Sequence, residues 1–385
     1  MTLIAELIRK AAVLGVPLTT HIDLTYRCNE RCEHCYLEHD DKGEMSYGEI
    51  SSLLEQLAEA GVFFLILSGG EPMIRRDFWE IVARARELQF NVKIKTNAVL
   101  IRDEEARRLR AMGVEQMQVS VYSHRPEVHD AVTKLPGSLE RTLRGIRALR
   151  AAGLKVAMSN VMMRSNLGDR HGVAELARET GATYSADPTV TGMMNGDRGV
   201  LDLRIDGSDL VELFHDKELV GDPESFCAPP PAAGDEERNA LPCSAGHSAC
   251  YVSPYGDVYP CVQFPLPSGN VRRQKFIDIW RNSPELAEVR SIRMRDLPVC
   301  STCSHLGSCT RCPGLAWREG NMRGPSSADC EKSFYRTGIP SANMLARGLV
   351  AFPAGIADTA LAAFPPGANP VAGLVQIATL PRTAA

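Results

Sequence analysis

Cys28-Asn29-Glu30-Arg31-Cys32-Glu33-His34-Cys35 sets three cysteines within eight residues, and what surrounds this stretch decides the fold. Cysteines spaced so closely read as metal ligands. Either they belong to a tetrahedral zinc site that His34 or His39 would complete, or they bind three irons of a cubane iron–sulfur cluster and leave the fourth iron open. The triplet directly follows an apolar run, residues 18–24, that reads as the first strand of an α/β unit. Zinc ligands typically come as two short clusters facing each other across a turn, which is not this setting.

Outward from the triplet, strand and helix alternate. A second apolar run, Val62-Phe63-Phe64-Leu65-Ile66-Leu67, ends in Ser68-Gly69-Gly70-Glu71-Pro72. Further strands are expected at 92–96, 116–121, 156–161 and 183–185, and helices at 47–60, 76–88, 104–112, 138–152 and 170–180. Gly61, Gly113, Gly153 and Gly181 close most of these helices. Six β/α units predict a parallel sheet curled into a partial (β/α)6 barrel, an α/β fold. Reactive groups in such barrels sit on loops after the strands, where both quoted motifs fall.

The order of these two motifs resembles the radical S-adenosylmethionine (SAM) superfamily, with its Cys-x3-Cys-x2-Cys cluster loop and Gly-Gly-Glu-Pro segment. The resemblance implies that Cys28, Cys32 and Cys35 carry the catalytic cluster and that Gly69, Gly70, Glu71 and Pro72 hold the methionyl amine. It implies that Asn97 and Ser120 lie near the carboxylate and ribose of SAM, and that His34 and Met162 lie beside adenine. A loop amide, a strand serine and a core methionine are the plain structural readings of Asn97, Ser120 and Met162. The glycines are expected to allow close backbone approach to the cosubstrate.

A second cysteine system follows a Pro- and acid-rich stretch at 201–240. It comprises Cys243, Cys250, Cys261, Cys300, Cys303, Cys309, Cys312 and Cys330. Pro254-Tyr255-Gly256-Asp257 reads as a hairpin turn that would bring Cys250 and Cys261 together. Alone, the paired Cys-x2-Cys motifs would be a zinc knuckle. Behind the barrel they resemble the SPASM domain, which carries two auxiliary four-iron clusters. One departure is the two residues, not three, between Cys309 and Cys312. The family's interleaved scheme gives the first cluster Cys243, Cys250, Cys261 and Cys312, and the second Cys300, Cys303, Cys309 and Cys330. That accounts for all but one of the twelve cysteines; Cys227, left over, reads as an ordinary buried or loop thiol. The implied cofactors are SAM and three 4Fe-4S clusters, one binding SAM and two auxiliary.

The expected organisation is an N-terminal helix at 1–17, the barrel at 18–200, an acidic helix and linker at 201–240, a small irregular SPASM domain with a β-hairpin at 241–337, and an Ala/Pro/Gly-rich tail at 338–385. With 385 residues, 44% of them hydrophobic, the chain can bury a large core. A net charge of −4 gives no nucleic-acid footprint, and no apolar stretch is long enough to span a membrane. Without a signal peptide the cysteines are expected to be metal ligands in a reducing cytoplasm.

The resemblance implies an oxidoreductase that cleaves SAM reductively and oxidatively modifies, most simply crosslinks, a ribosomally made peptide. Its alternative is a small-molecule or tetrapyrrole-type SPASM oxidoreductase. Sulfatase-maturing relatives carry an aspartate base after the hairpin cysteine, whereas Val262 and Gln263 follow Cys261 here, so that role is disfavoured. The expected partners are a flavodoxin- or ferredoxin-type electron donor, the peptide and a separate leader-recognition protein, since a leader-binding domain of roughly 80 residues does not precede the first strand.

Overall fold

The structure, a computed structural model, describes residues 3–348; most of the tail at 338–385 lies outside them. After helix α1 (Leu3–Leu14) come the strands β1 (Thr19–Asp23), β2 (Phe64–Ser68), β3 (Asn91–Thr96), β4 (Gln116–Ser120), β5 (Lys155–Val161) and β6 (Thr183–Asp187), each paired in parallel with the next. Parallel pairing needs crossovers, supplied by α2 (Tyr47–Glu59), α3 (Phe78–Glu87), α4 (Asp103–Ala111), α5 (Pro126–Thr133), α6 (Ser138–Ala151) and α7 (Arg170–Thr180). Ser46 and Glu49 form a capping box that starts α2 immediately past the cysteine loop.

The strand pleat sorts side chains into two faces. Ile22, Leu67, Ile94, Met117 and Val156 are fully or almost fully buried against the helices in the main core. Alternate residues, including His21, Asp23, Lys95, Gln118, Ser159 and Asp187, line the opposite, inner face. That inner face is polar, unlike the filled interior of a closed (β/α)8 barrel.

Expected and observed elements agree closely, but α5 was not foreseen. It is short, and its apolar residues do not repeat over enough turns to stand out. Residues 201–240 form several short helices, among them Gly207–Phe214 and Asp235–Asn239. The hairpin exists as β7 (Ala249–Val252) and β8 (Asp257–Tyr259), followed by β9 (Gly269–Asn270). Its placement is the larger finding. β7 pairs in parallel with β1, giving one nine-stranded sheet in the order β6-β5-β4-β3-β2-β1-β7-β8-β9. No helix among the described residues is long and apolar enough to cross a membrane.

Candidate functional site

The cysteine loop leaves the carboxyl end of β1 and is pinned to α5, where Arg31 and Glu33 donate their backbone N–H groups to the carbonyls of Thr133 and Val132, both at 2.9 Å. All twelve cysteines are free thiols. Burial pushes Cys28 up to about 12 and Cys35 up to about 11, with Glu30 and other acids adding to the effect. Cys32 is raised further by burial, then by Glu30, Cys35 and Cys28. Iron must therefore displace protons to bind them. Around the loop, Asn29 Nδ2, Glu30 Oε1 and His34 Nδ1 are buried without hydrogen-bond partners. Three thiols within electrostatic reach of one another, ringed by unsatisfied polar atoms, fit a cluster loop that receives more than protein. No three His, Cys, Asp or Glu side chains among the described residues converge on a single-ion site; a cubane spreads its ligands over separate irons.

The glycine segment lies directly against this loop. A Cβ at Gly69 would overlap the carbonyl oxygen of Thr25, and one at Gly70 that of Arg27. Gly70 and Glu71 donate N–H bonds to these same carbonyls at 2.8 and 3.0 Å. The glycines are thus required by the protein's own backbone on the way to Cys28, a nearer cause than approach to the cosubstrate. Glu71 is fully buried. Its carboxylate accepts from Thr96 Oγ1 at 2.8 Å, Asn97 N at 2.8 Å and Met73 N at 3.1 Å. Burial raises Glu71 to about 7 against those three donors. Pro72 begins the short 3₁₀ turn that Glu71 caps. Glu71 is therefore a bracket tying β2 to the end of β3, and only backbone groups of this segment face outward for a ligand.

Asn97, on the inner face, puts Nδ2 3.0 Å from Asn29 Oδ1 and 3.9 Å from Cys28 Sγ. His34 meets Tyr122 edge-on, ring centroids 4.8 Å apart, and burial lowers His34 to about 4. Ser120 ends β4, two residues before Tyr122. Met162 is fully buried in the main core, whereas Met163 joins Tyr122, Val132 and Val190 in a small apolar cluster against which Cys32 packs. Sequence reasoning missed Tyr122 and Met163; their position one loop beyond β4 and β5 was the available signal.

The later cysteines separate into two neighbourhoods. Cys300, Cys303, Cys309 and Cys330 line one small cavity together with His305, Arg311 and Asp329. Cys312 is absent from that lining although it follows Cys309 closely. Its Sγ lies 3.8 Å from Gln263 Oε1. Burial raises it to about 12, and Asp329, Cys243 and Cys261 add to the rise, so it sits with the other set. Gly314 makes this possible, because a Cβ there would run into the backbone of Gln263 and Phe264. Cys250 stands apart. Period-two alternation sends it to the core face of β7 with Val252, 3.5 Å from Thr20 Oγ1, though still within electrostatic reach of Cys261. Cys227 is fully buried, its Sγ 3.3 Å from the Phe214 carbonyl.

Between the two systems lies a buried polar knot. Asp23, fully buried, accepts from the Tyr251 hydroxyl at 2.9 Å and the Tyr36 hydroxyl at 3.4 Å, and Tyr251 meets the Tyr26 hydroxyl at 2.8 Å. It binds β1, the cysteine loop and β7 to one another.

Residues 22–177 match the family model of the radical SAM superfamily, and residues 243–313 match that of SPASM, an iron–sulfur cluster-binding domain. Over 312 residues the chain is 32% identical to mycofactocin maturase MftC of Mycobacterium tuberculosis, covering 77% of this chain and 78% of that protein. It is 30% identical over 329 residues to the AdoMet-dependent heme synthase of Methanosarcina barkeri, covering 80% and 94% respectively. The structure of Streptococcus suis SuiB bound to precursor peptide SuiA has a TM-score of 0.67 at 18% identity, covering 85% of this chain and 78% of that one. At that identity the likeness speaks to the fold alone.

Proposed function

The chain belongs to the radical SAM superfamily and carries a SPASM domain, so it is an enzyme using SAM and 4Fe-4S clusters, and on that premise we propose that it oxidatively crosslinks a ribosomally made peptide. When bound, these groups supply a 5′-deoxyadenosyl radical able to take hydrogen from an unactivated carbon. In this reading Cys28, Cys32 and Cys35 hold the catalytic cluster. Backbone groups at Gly69 to Pro72 meet the methionyl amine, Asn97 the carboxylate end, and Ser120 the ribose. His34, Tyr122 and one of Met162 or Met163 flank adenine. Cys243, Cys261 and Cys312 serve the first auxiliary cluster, which Cys250, turned to the core face of β7, does not join, and Cys300, Cys303, Cys309 and Cys330 serve the second.

One observation carries the proposal: β7 lies beside β1 in a single sheet, so the first auxiliary set and the catalytic loop flank one polar inner face. An electron acceptor beside the place where a substrate radical forms favours net oxidation. The peptide class is supported by the maturase relative. A small electron donor of the flavodoxin or ferredoxin type can reach the cysteine loop, where Arg31 is exposed. A separate leader-recognition protein is the other proposed partner. The heme synthase relative, covered over 94% of its length, keeps a tetrapyrrole-type reading as the second choice.

The test is co-expression with short open reading frames from the same gene neighbourhood, followed by mass spectrometry. A peptide lighter by two hydrogens is expected. An unchanged peptide alongside active SAM cleavage would move the assignment to the second reading.

A further inference from the structure

Lys95 lies on the inner face of β3, directly opposite Gln118 of β4. Its strand neighbours Ile94 and Thr96 point the other way, into the main core and onto Glu71. No carboxylate among the described residues pairs with the Lys95 ammonium, although many other cations of the chain have such a partner. Burial holds its pKa below the usual lysine range, while Asp23 of β1, Cys261 after β8 and Asp187 at the end of β6 act at longer range in the opposite direction. His21 of β1 also feels its charge. These groups come from three sides, so the ammonium stands centrally above the inner face.

Its height on that face is also fixed. Asn97, two residues further along the chain, contacts Cys28 Sγ at 3.9 Å. Two extended residues advance about 7 Å. Lys95 therefore lies one layer below the catalytic loop and on the side of Cys261. The floor around it is polar, with Gln118 Nε2 donating to Ser159 Oγ at 3.1 Å. An ammonium has three donors and no acceptor, and on this half-buried side chain those donors are left for whatever occupies the inner face.

We infer that Lys95 anchors a carboxylate of the substrate, holding it between the catalytic loop and the first auxiliary cysteine set. The inference deepens the proposed function and rests on its placement of the substrate on the inner face. Two substrate sources share this chemistry: a peptide's terminal carboxylate and an Asp or Glu side chain. SAM brings a third carboxylate. Lys95 acts by charge and hydrogen bonding, so Lys95→Arg retains the anchor and Lys95→Met loses it.

The first probe is carboxyl-labelled ¹³C-propionate, followed by NMR line broadening on reconstituted holoprotein saturated with SAM. Broadening is expected with the wild type and Lys95→Arg, and its loss with Lys95→Met. Equal broadening in all three, or none in the wild type, overturns the inference. Iron content and SAM affinity are measured on both variants to establish that they fold. A tenfold loss of SAM affinity in Lys95→Met without a propionate effect places the cosubstrate's carboxylate there instead, and also overturns it. Synthetic peptides then separate the two sources: one with a free terminus and no acidic side chain, its terminal amide, and that amide carrying one Glu. The bound form should lose at least about tenfold in affinity in Lys95→Met. Should none of the peptides bind while the propionate effect persists, the peptide reading fails and the carboxylate site stands.

Discussion

The two cysteine systems of this chain are assembled in opposite ways. The cysteine loop carries its three thiols between Cys28 and Cys35, one continuous stretch at the end of one strand. The later thiols spread from Cys243 to Cys330, and neighbours in sequence part company: Cys309 faces a cavity with Cys300, Cys303 and Cys330, while Cys312 joins Cys243 and Cys261. A local site needs only a loop of the right length. An interleaved site needs a fold that carries Cys312 away from Cys309, which the helix Pro313–Arg318 does by packing its Gly314 on Gln263.

The strongest way to break this contrast is to remove the local site. Replacing Cys28, Cys32 and Cys35 together by Ala should abolish 5′-deoxyadenosine formation and leave about eight irons of about twelve in anaerobically reconstituted protein. Loss of all iron would show that the shared sheet makes the systems interdependent, and stoichiometric zinc would return the later cysteines to a knuckle.

A sharper probe compares single thiols in the interleaved region. Cys312→Ala should cost one cluster, about four irons, whereas Cys250→Ala, on the core face of β7, should leave iron content unchanged. Equal loss from both would put Cys250 among the ligands. Iron analysis with electron paramagnetic resonance of the reduced protein reads the difference.

Smaller is the effect at Glu71. Glu71→Gln keeps the shape but weakens acceptance from Thr96, Asn97 and Met73, costing about 2 kcal/mol in a urea melt. Thr96→Val should cost less, about 1 kcal/mol. No change in either melt would mean the bracket does not hold the glycine segment.

A further effect, read through pH, tests whether even the local loop depends on distant structure. His129 of α5 is buried and accepts the Tyr122 N–H through Nδ1 at 3.2 Å. Burial lowers it to about 4, below the roughly 6.5 of an unfolded chain. The folded state thus refuses a proton that the unfolded state takes. Stability is full above about pH 6.5 and falls toward pH 4 by at most about 1.4 kcal/mol per pH unit. In His129→Asn this part of the slope should vanish, as measured by urea midpoints at pH 7.5 and 5.

The sequence by itself determined the six parallel β/α units, because apolar periodicity and closing glycines are local signals. It also determined the cysteine loop, whose three thiols lie within eight residues and need no distant partner to come together. Only the tertiary structure decided the rest. The antiparallel hairpin is written in Pro254 to Asp257, but its seat beside β1 depends on edge pairing and the Asp23–Tyr251 bond, which spans most of the chain. Glycines 69 and 70 are legible in the sequence, but that the carbonyls of Thr25 and Arg27 leave no room there for a Cβ is visible only in the fold. Lys95 looked like one polar residue in an alternating strand. Its lack of a nearby partner is a property of six strands together, because which face a side chain takes is set by the pleat, but what it meets there is set by elements far away in sequence.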